Sequence, residues 1–231
     1  MSQAKRLGLE AMPIEAMNSI YTVGAKPRLR GIPDVIAVAI FVPAAAWLMA
    51  HARPGLPTVS ATVYSISLVL LFGVSATYHA PMWPMRIRRF WRKLDHSAIY
   101  ILIAGSYTPI CLLLLGPATG RTILWAAWIV AGLGLLKSFL WERAPRWLNT
   151  TIYIGVSWLI APFVPRLWVV AGPWPCLLWA FGGLLYTVGA IIYIRKKPNP
   201  YPTLFGYHEI FHVFVVTAGA SHYLAMWSLL T

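Results

Sequence analysis

Residues 54–85 read PGLPTVSATVYSISLVLLFGVSATYHAPMWPM and contain no Asp, Glu, Lys or Arg. This segment is longer than the ~20 apolar residues that a helix needs to cross the hydrocarbon core of a bilayer. Other segments without these four residue types follow at 96–120, 167–194 and 210–231, and shorter ones at 35–51, 122–136 and 147–165. Because backbone groups in lipid must bond internally, the sequence predicts seven transmembrane helices.

The composition supports an all-α, polytopic membrane protein built as a seven-transmembrane-helix bundle. Of 231 residues, 59% are hydrophobic and 11% are charged, whereas soluble domains carry roughly 25% charged residues. The predicted division is a short cytoplasmic N-terminal segment, 1–31, and one transmembrane domain, 32–231, with no second soluble domain. The predicted spans are 33–52, 57–80, 95–115, 121–140, 148–165, 174–194 and 207–230.

The net charge of +13 reflects orientation in a membrane rather than binding to nucleic acid. With these spans, all but three of the 19 Lys and Arg residues fall on one side, the exceptions being Arg53, Arg121 and Arg166. Basic loops stay in the cytoplasm, so the N-terminus is predicted inside and the C-terminus outside, in a bacterial inner (plasma) membrane. A contact between the basic loops and anionic lipid headgroups is a second hypothesis for the same charges.

Ionisable residues inside membrane spans are costly and therefore indicate function. The predicted topology places five polar residues from three helices at one depth near the inner leaflet: Ser75, His79, Asp95, His208 and His212. Ser75 and His79 are four residues apart, as are His208 and His212, so each pair shares one helix face.

Three imidazoles at one depth predict a metal site. Two histidines at this spacing on one helix and a third from another helix are typical zinc ligands that leave one position open for water. The predicted zinc ligands are His79, His208 and His212. Asp95 is predicted to accept a proton from that water or to orient it, and Ser75 to fix the His79 ring or to bond a substrate oxygen.

Residues 208–212 also spell H-E-x-x-H, the motif of zinc metalloproteases, in which Glu209 would be the general base. His222 lies ten residues beyond His212, or about 15 Å along a helix, which is too far to join the same metal. The alternative interpretation places Glu209 at the helix N-terminus, where the helix dipole favours a carboxylate. The roles of His96 and His222 stay open.

Three segments carry a resemblance: Ser75-Ala-Thr-Tyr-His79, Leu94-Asp-His-Ser-Ala-Ile-Tyr100 with Ala104-Gly-Ser-Tyr-Thr-Pro109, and His208-Glu-Ile-Phe-His-Val-Phe214. Together they resemble the bacterial hemolysin III family, which is related to the progestin and adipoQ (adiponectin) receptors and, more widely, to the alkaline ceramidases. The resemblance runs from about residue 15 onward. It implies a seven-helix fold with zinc on the three histidines and Asp95 beside the zinc-bound water. One departure is Gly31-Ile-Pro-Asp34, where family members often carry a histidine.

The leading functional hypothesis is a zinc-dependent hydrolase of lipid amides or esters at the inner leaflet. The expected partners are membrane lipids, as substrate or as a bound fatty acid, with no nucleic acid and no module for an extracellular protein ligand. A non-enzymatic sensor of membrane lipid state, with zinc clamping two helices, is the alternative. A pore-forming cytolysin is less well supported, because the outer halves of the spans are nearly all apolar.

Overall fold

The computed structural model describes residues 26–141 and 144–231. Seven segments in this part of the chain are long and apolar enough to span a membrane, which confirms the predicted fold class. Residues 1–25, most of the predicted segment 1–31, lie outside the described residues. The helices are α1 (Ile32–His51), α2 (Leu56–His79), α3 (Met85–Leu113), α4 (Pro117–Leu140), α5 (Arg146–Trp158), α6 (Val164–Ala171), α7 (Pro173–Arg195) and α8 (Tyr207–Leu230).

Proline sets where several of these helices begin. It occupies the first or second helical position of α1, α2, α4, α6 and α7. Its missing N–H costs nothing there, because the first N–H groups of a helix have no intrahelical partner. Proline is therefore one local reason why α1, α2, α4 and α7 begin within a few residues of the predicted starts.

Two predicted spans are corrected by the structure. The third helix begins at Met85 rather than at residue 95, because the basic residues after Pro84 are good helix formers and nothing breaks the helix before the membrane begins. The fifth span continues to Ala171 and is divided into α5, a 3₁₀ turn (Ala161–Phe163) and α6. Pro162 and Pro165 lack the N–H that a continuous helix would require at those positions.

The helices form a closed arrangement in which α2 and α3 are the most buried. α3 packs between α2 and α4, and α8 packs against α7, α1 and α2. Phe41 of α1 stacks on Phe72 of α2 with ring centroids 4.9 Å apart, and the Tyr223 hydroxyl of α8 donates to the Ala44 carbonyl of α1. These contacts fix α1, α2 and α8 relative to one another.

One end of the bundle collects the predicted polar residues. α1 and α8 begin there and α2 ends there. Asp95 lies ten residues inside α3 rather than at its start, so the longer helix places it beside the end of α2. The assignment of this end to the cytoplasm stays a prediction.

Candidate metal centre

The three predicted metal ligands lie together. His79 is the last residue of α2, and His208 and His212 lie in the first two turns of α8. Each histidine offers a ring nitrogen, and these three atoms lie within 4.8 Å of one another. The ring centroids are 4.6–4.8 Å apart. The three residues, called the histidine trio below, form a group that could hold a metal ion.

The trio presents nitrogen atoms that have no protein partner. Within residues 26–141 and 144–231, the Nε2 atoms of His208 and His212 are buried and accept or donate no hydrogen bond. Buried polar atoms are normally satisfied, so an unpaired atom in a folded protein requires an explanation. Two such atoms beside a third imidazole provide nitrogen ligands that a metal ion would bind.

Asp34 fixes the orientation of His212. Its Oδ1 lies 2.8 Å from His212 Nδ1, and Asp34 is only 1% exposed. Because Nδ1 is used in this contact, Nε2 of His212 faces the trio. Carboxylate–histidine contacts of this kind set the tautomer and ring orientation of metal-binding histidines. No role was predicted for Asp34, which lies in the first turn of α1, although a carboxylate in an apolar span indicates function.

Asp95 and Ser75 lie on the other side of the trio. The Asp95 Oδ2 atom lies 3.8 Å from His79 Nε2, which is longer than a hydrogen bond. The Ser75 hydroxyl lies within reach of the Asp95 carboxylate, so we assign Ser75 to Asp95. The structure thus brings all five residues predicted from the sequence to one place and adds Asp34.

Both carboxylate oxygens of Glu209 have partners outside the trio. Its Oε1 accepts a hydrogen bond from Arg30, which also forms an ion pair with it. Its Oε2 accepts the Gly206 N–H at 2.8 Å and so caps the start of α8. A carboxylate with both oxygens occupied is not available as a general base. The metalloprotease interpretation therefore has no general base at Glu209. The geometry agrees instead with Glu209 as a helix N-terminal carboxylate.

The segment before α1 closes the site against α2. Gly31 has φ 86°, a conformation that glycine adopts readily, and a Cβ there would lie 2.6 Å from the Ala80 nitrogen. Lys26 donates from Nζ to the Ala80 carbonyl at 2.7 Å. Burial, and then the nearby Arg30 and Arg88, lower the pKa of Lys26. These contacts place Asp34, one turn further on, within reach of α8.

The other two histidines of unassigned role lie outside the trio. His96 lines a small crevice with Arg92, Lys137 and Asn149. The His222 Nε2 atom lies 3.2 Å from the Trp179 carbonyl oxygen and so links α8 to α7. The geometry therefore agrees with leaving both residues out of the predicted metal site.

Comparison with known proteins identifies the class. The fold and site define a seven-span integral membrane protein with a three-histidine group at one end of the bundle. The family model for haemolysin-III related proteins matches residues 24–223. The chain belongs to this family, as the resemblance predicted.

Individual relatives agree with that assignment. The chain is 35% identical to Hemolysin-3 of Bacillus cereus over 189 residues, covering 80% of this chain and 83% of the relative. It is 32% identical to the Hemolysin-3 homolog of Bacillus subtilis (strain 168), covering 83% and 88%. It is 29% identical to the human Monocyte to macrophage differentiation factor, covering 74% and 71%. Weaker similarity to an adiponectin receptor protein supports the predicted kinship with that group; the wider kinship with the ceramidases stays a prediction.

Proposed function

We propose that this protein is a zinc-dependent hydrolase of lipid amides or esters in a bacterial inner membrane. The observation that carries the proposal is the trio itself, with two buried nitrogens unpaired among the described residues, beside the carboxylate of Asp95. Zinc–nitrogen bonds of about 2.0–2.1 Å place tetrahedral ligand atoms ~3.3 Å apart. Ligand atoms already within 4.8 Å of one another need only small side-chain rotations to reach that distance.

The residues around the trio have separable roles. A zinc ion held by three histidines supplies a Lewis acid that activates water and polarises a carbonyl oxygen. Asp95 accepts a proton during hydrolysis and returns it to the leaving group. The Ser75 hydroxyl orients Asp95, and Asp34 holds His212 so that its Nε2 would be free to bind zinc. The position of the trio at one end of the spans lets a lipid carbonyl enter sideways from one leaflet.

The test is turnover of a ceramide and of a phospholipid ester in mixed micelles by purified, zinc-loaded protein. Asp95→Asn preserves the shape of the side chain but not its basicity. We expect it to reduce turnover by about 10²–10⁴-fold, the usual contribution of general acid–base catalysis, with zinc content unchanged. Zinc-loaded wild-type protein that releases neither fatty acid nor sphingoid base would contradict the proposal.

A second candidate function is a non-enzymatic regulator of membrane lipid state with structural zinc. The observation that favours it is that the trio joins the end of α2 to the start of α8, so a metal there would clamp two helices. Under this function Asp95→Asn lowers the melting temperature and no product forms with either protein. Under the hydrolase function the same variant stays folded and keeps its zinc, so one set of samples separates the two candidates.

A further inference from the structure

A stripe of cations lies on one face of the N-terminal part of α3. Arg86, Arg89 and Lys93 follow one another at spacings of three and four residues, which places them on the same face of the helix. Phe90 belongs to the same face. At 1.5 Å per residue, the stripe is about 10 Å long. This part of α3 precedes the apolar stretch that begins at residue 96.

This face of α3 and the end of α4 border an open cleft. The cleft has a volume of about 620 Å³, and its lining residues are Arg86, Arg89, Phe90, Lys93 and Phe139. Lys93 joins the two sides of the cleft, because its Nζ donates to the Phe139 carbonyl oxygen at 3.4 Å and lies 5.9 Å from the centre of the Phe139 ring. The cleft therefore combines three cations with two aromatic rings.

Arg86 and Arg89 give this face of α3 a positive charge. The whole chain has 6 acidic and 19 basic residues, so its net charge of +13 favours an anionic ligand there. Like charges on one helix face also repel one another, and a bound anion would relieve that repulsion.

The surface next to the cleft is apolar. Phe90 is 50% exposed, and on α4 Leu136 and Leu140 are 51% and 77% exposed. Exposed apolar residues on a membrane span contact acyl chains rather than water. A ligand that carries an anionic phosphate on a pair of acyl chains would contact Arg86, Arg89 and this apolar strip together, which neither a soluble anion nor a nucleic acid would do.

We propose that the cleft between the N-terminal part of α3 and the end of α4 is a binding site for one anionic phospholipid. The phosphate lies against Arg86 and Arg89, and the acyl chains lie along Leu136 and Leu140. Basic pockets between transmembrane helices are suited to such headgroups. The site is separate from the histidine trio and does not depend on zinc or on hydrolysis.

The experiment is native mass spectrometry of the detergent-purified, full-length protein titrated with phosphatidylglycerol or with phosphatidylcholine of the same acyl chains. At about 1 kcal/mol per basic residue near an anionic headgroup, the double variant Arg86→Gln/Arg89→Gln is expected to bind phosphatidylglycerol about 25-fold more weakly. The matched control is Arg88→Gln/Arg195→Gln, which removes the same charge from residues that do not line the cleft. It is expected to bind like the wild-type protein.

Three outcomes would overturn the proposal. Equal binding of the two lipids by wild-type protein would remove the anionic preference. Equal losses in both double variants would reduce the effect to net charge. Displacement of phosphatidylglycerol by inorganic phosphate, beyond that caused by sodium chloride of the same ionic strength, would make the ligand a soluble anion. Zinc content measured in the same samples is expected to be unchanged in every variant, which verifies folding and separates this site from the metal centre.

Discussion

His208 and His222 lie on the same helix, α8, and both are partly buried, yet their surroundings differ. The His222 Nε2 atom lies 3.2 Å from the Trp179 carbonyl oxygen, and a Cβ at Gly182 would lie 2.3 Å from the His222 ring. His222 is therefore enclosed and satisfied between α7 and α8. The His208 Nε2 atom is buried without a partner among the described residues and lies beside two other imidazoles.

The comparison shows that burial alone does not identify a functional histidine. A buried imidazole bonded to a backbone carbonyl contributes to packing, in the same way as the neighbouring Ser221, which donates to the Leu178 carbonyl. A buried imidazole whose unpaired nitrogen lies beside other imidazoles requires an explanation, and a bound ligand provides one. Three predictions test this difference, starting with the largest expected effect.

The largest effect is expected from the trio itself. His208→Ala/His212→Ala is expected to reduce zinc from about one ion per chain to almost none, because one remaining imidazole is not a zinc site. His222→Ala is the matched control on the same helix and is expected to keep its zinc. Metal content by mass spectrometry of detergent-purified, folded protein provides the measurement. Equal zinc in the double variant and in wild-type protein would remove the metal centre, and with it the proposed hydrolase.

A smaller effect on zinc affinity is expected from removing the Asp34 carboxylate that contacts His212. Asp34→Ala removes the acceptor of His212 Nδ1 and is expected to weaken zinc binding about 10–100-fold, as losses of such supporting contacts do. Asp34→Asn keeps a carbonyl oxygen at the same place and is expected to lose less. Competition with a fluorescent zinc chelator gives both affinities. Unchanged affinity in Asp34→Ala would show that Asp34 only packs against α8.

The smallest effect on zinc affinity is expected from a substitution at Gly31, where the start of α1 lies against the end of α2. Gly31→Ala would place a Cβ 2.6 Å from the Ala80 nitrogen, whereas Gly55→Ala, also at positive φ, would meet nothing within 4 Å. Both are expected to cost about 1–3 kcal/mol of stability for the backbone conformation. Gly31→Ala alone is expected to weaken zinc binding as well, since the start of α1 must move away from His79. Thermal unfolding and zinc titration compare the two, and equal zinc affinities would contradict this account.

Much of the site was predictable because spacing and depth are properties of the sequence. His208 and His212 share a helix face by their four-residue spacing, and the alternation of apolar spans brings His79 and Asp95 to the same end. Glu209 was recognisable as a helix N-terminal carboxylate but not as the partner of Arg30, which lies 179 residues away in the chain. Asp34 was missed for the same reason, since its contact with His212 depends on how α1 and α8 pack.

The sequence by itself determined the seven spans, the family and the five polar residues at one end, because hydrophobic length and helical periodicity are local and a membrane allows few alternatives. Only the tertiary structure decided that Ser75 lies beside the Asp95 carboxylate and that Asp34 and Arg30 complete the surroundings of α8. These facts depend on contacts between residues that are distant in sequence. Such contacts are fixed by the packing of whole helices and leave no periodic signal in the chain.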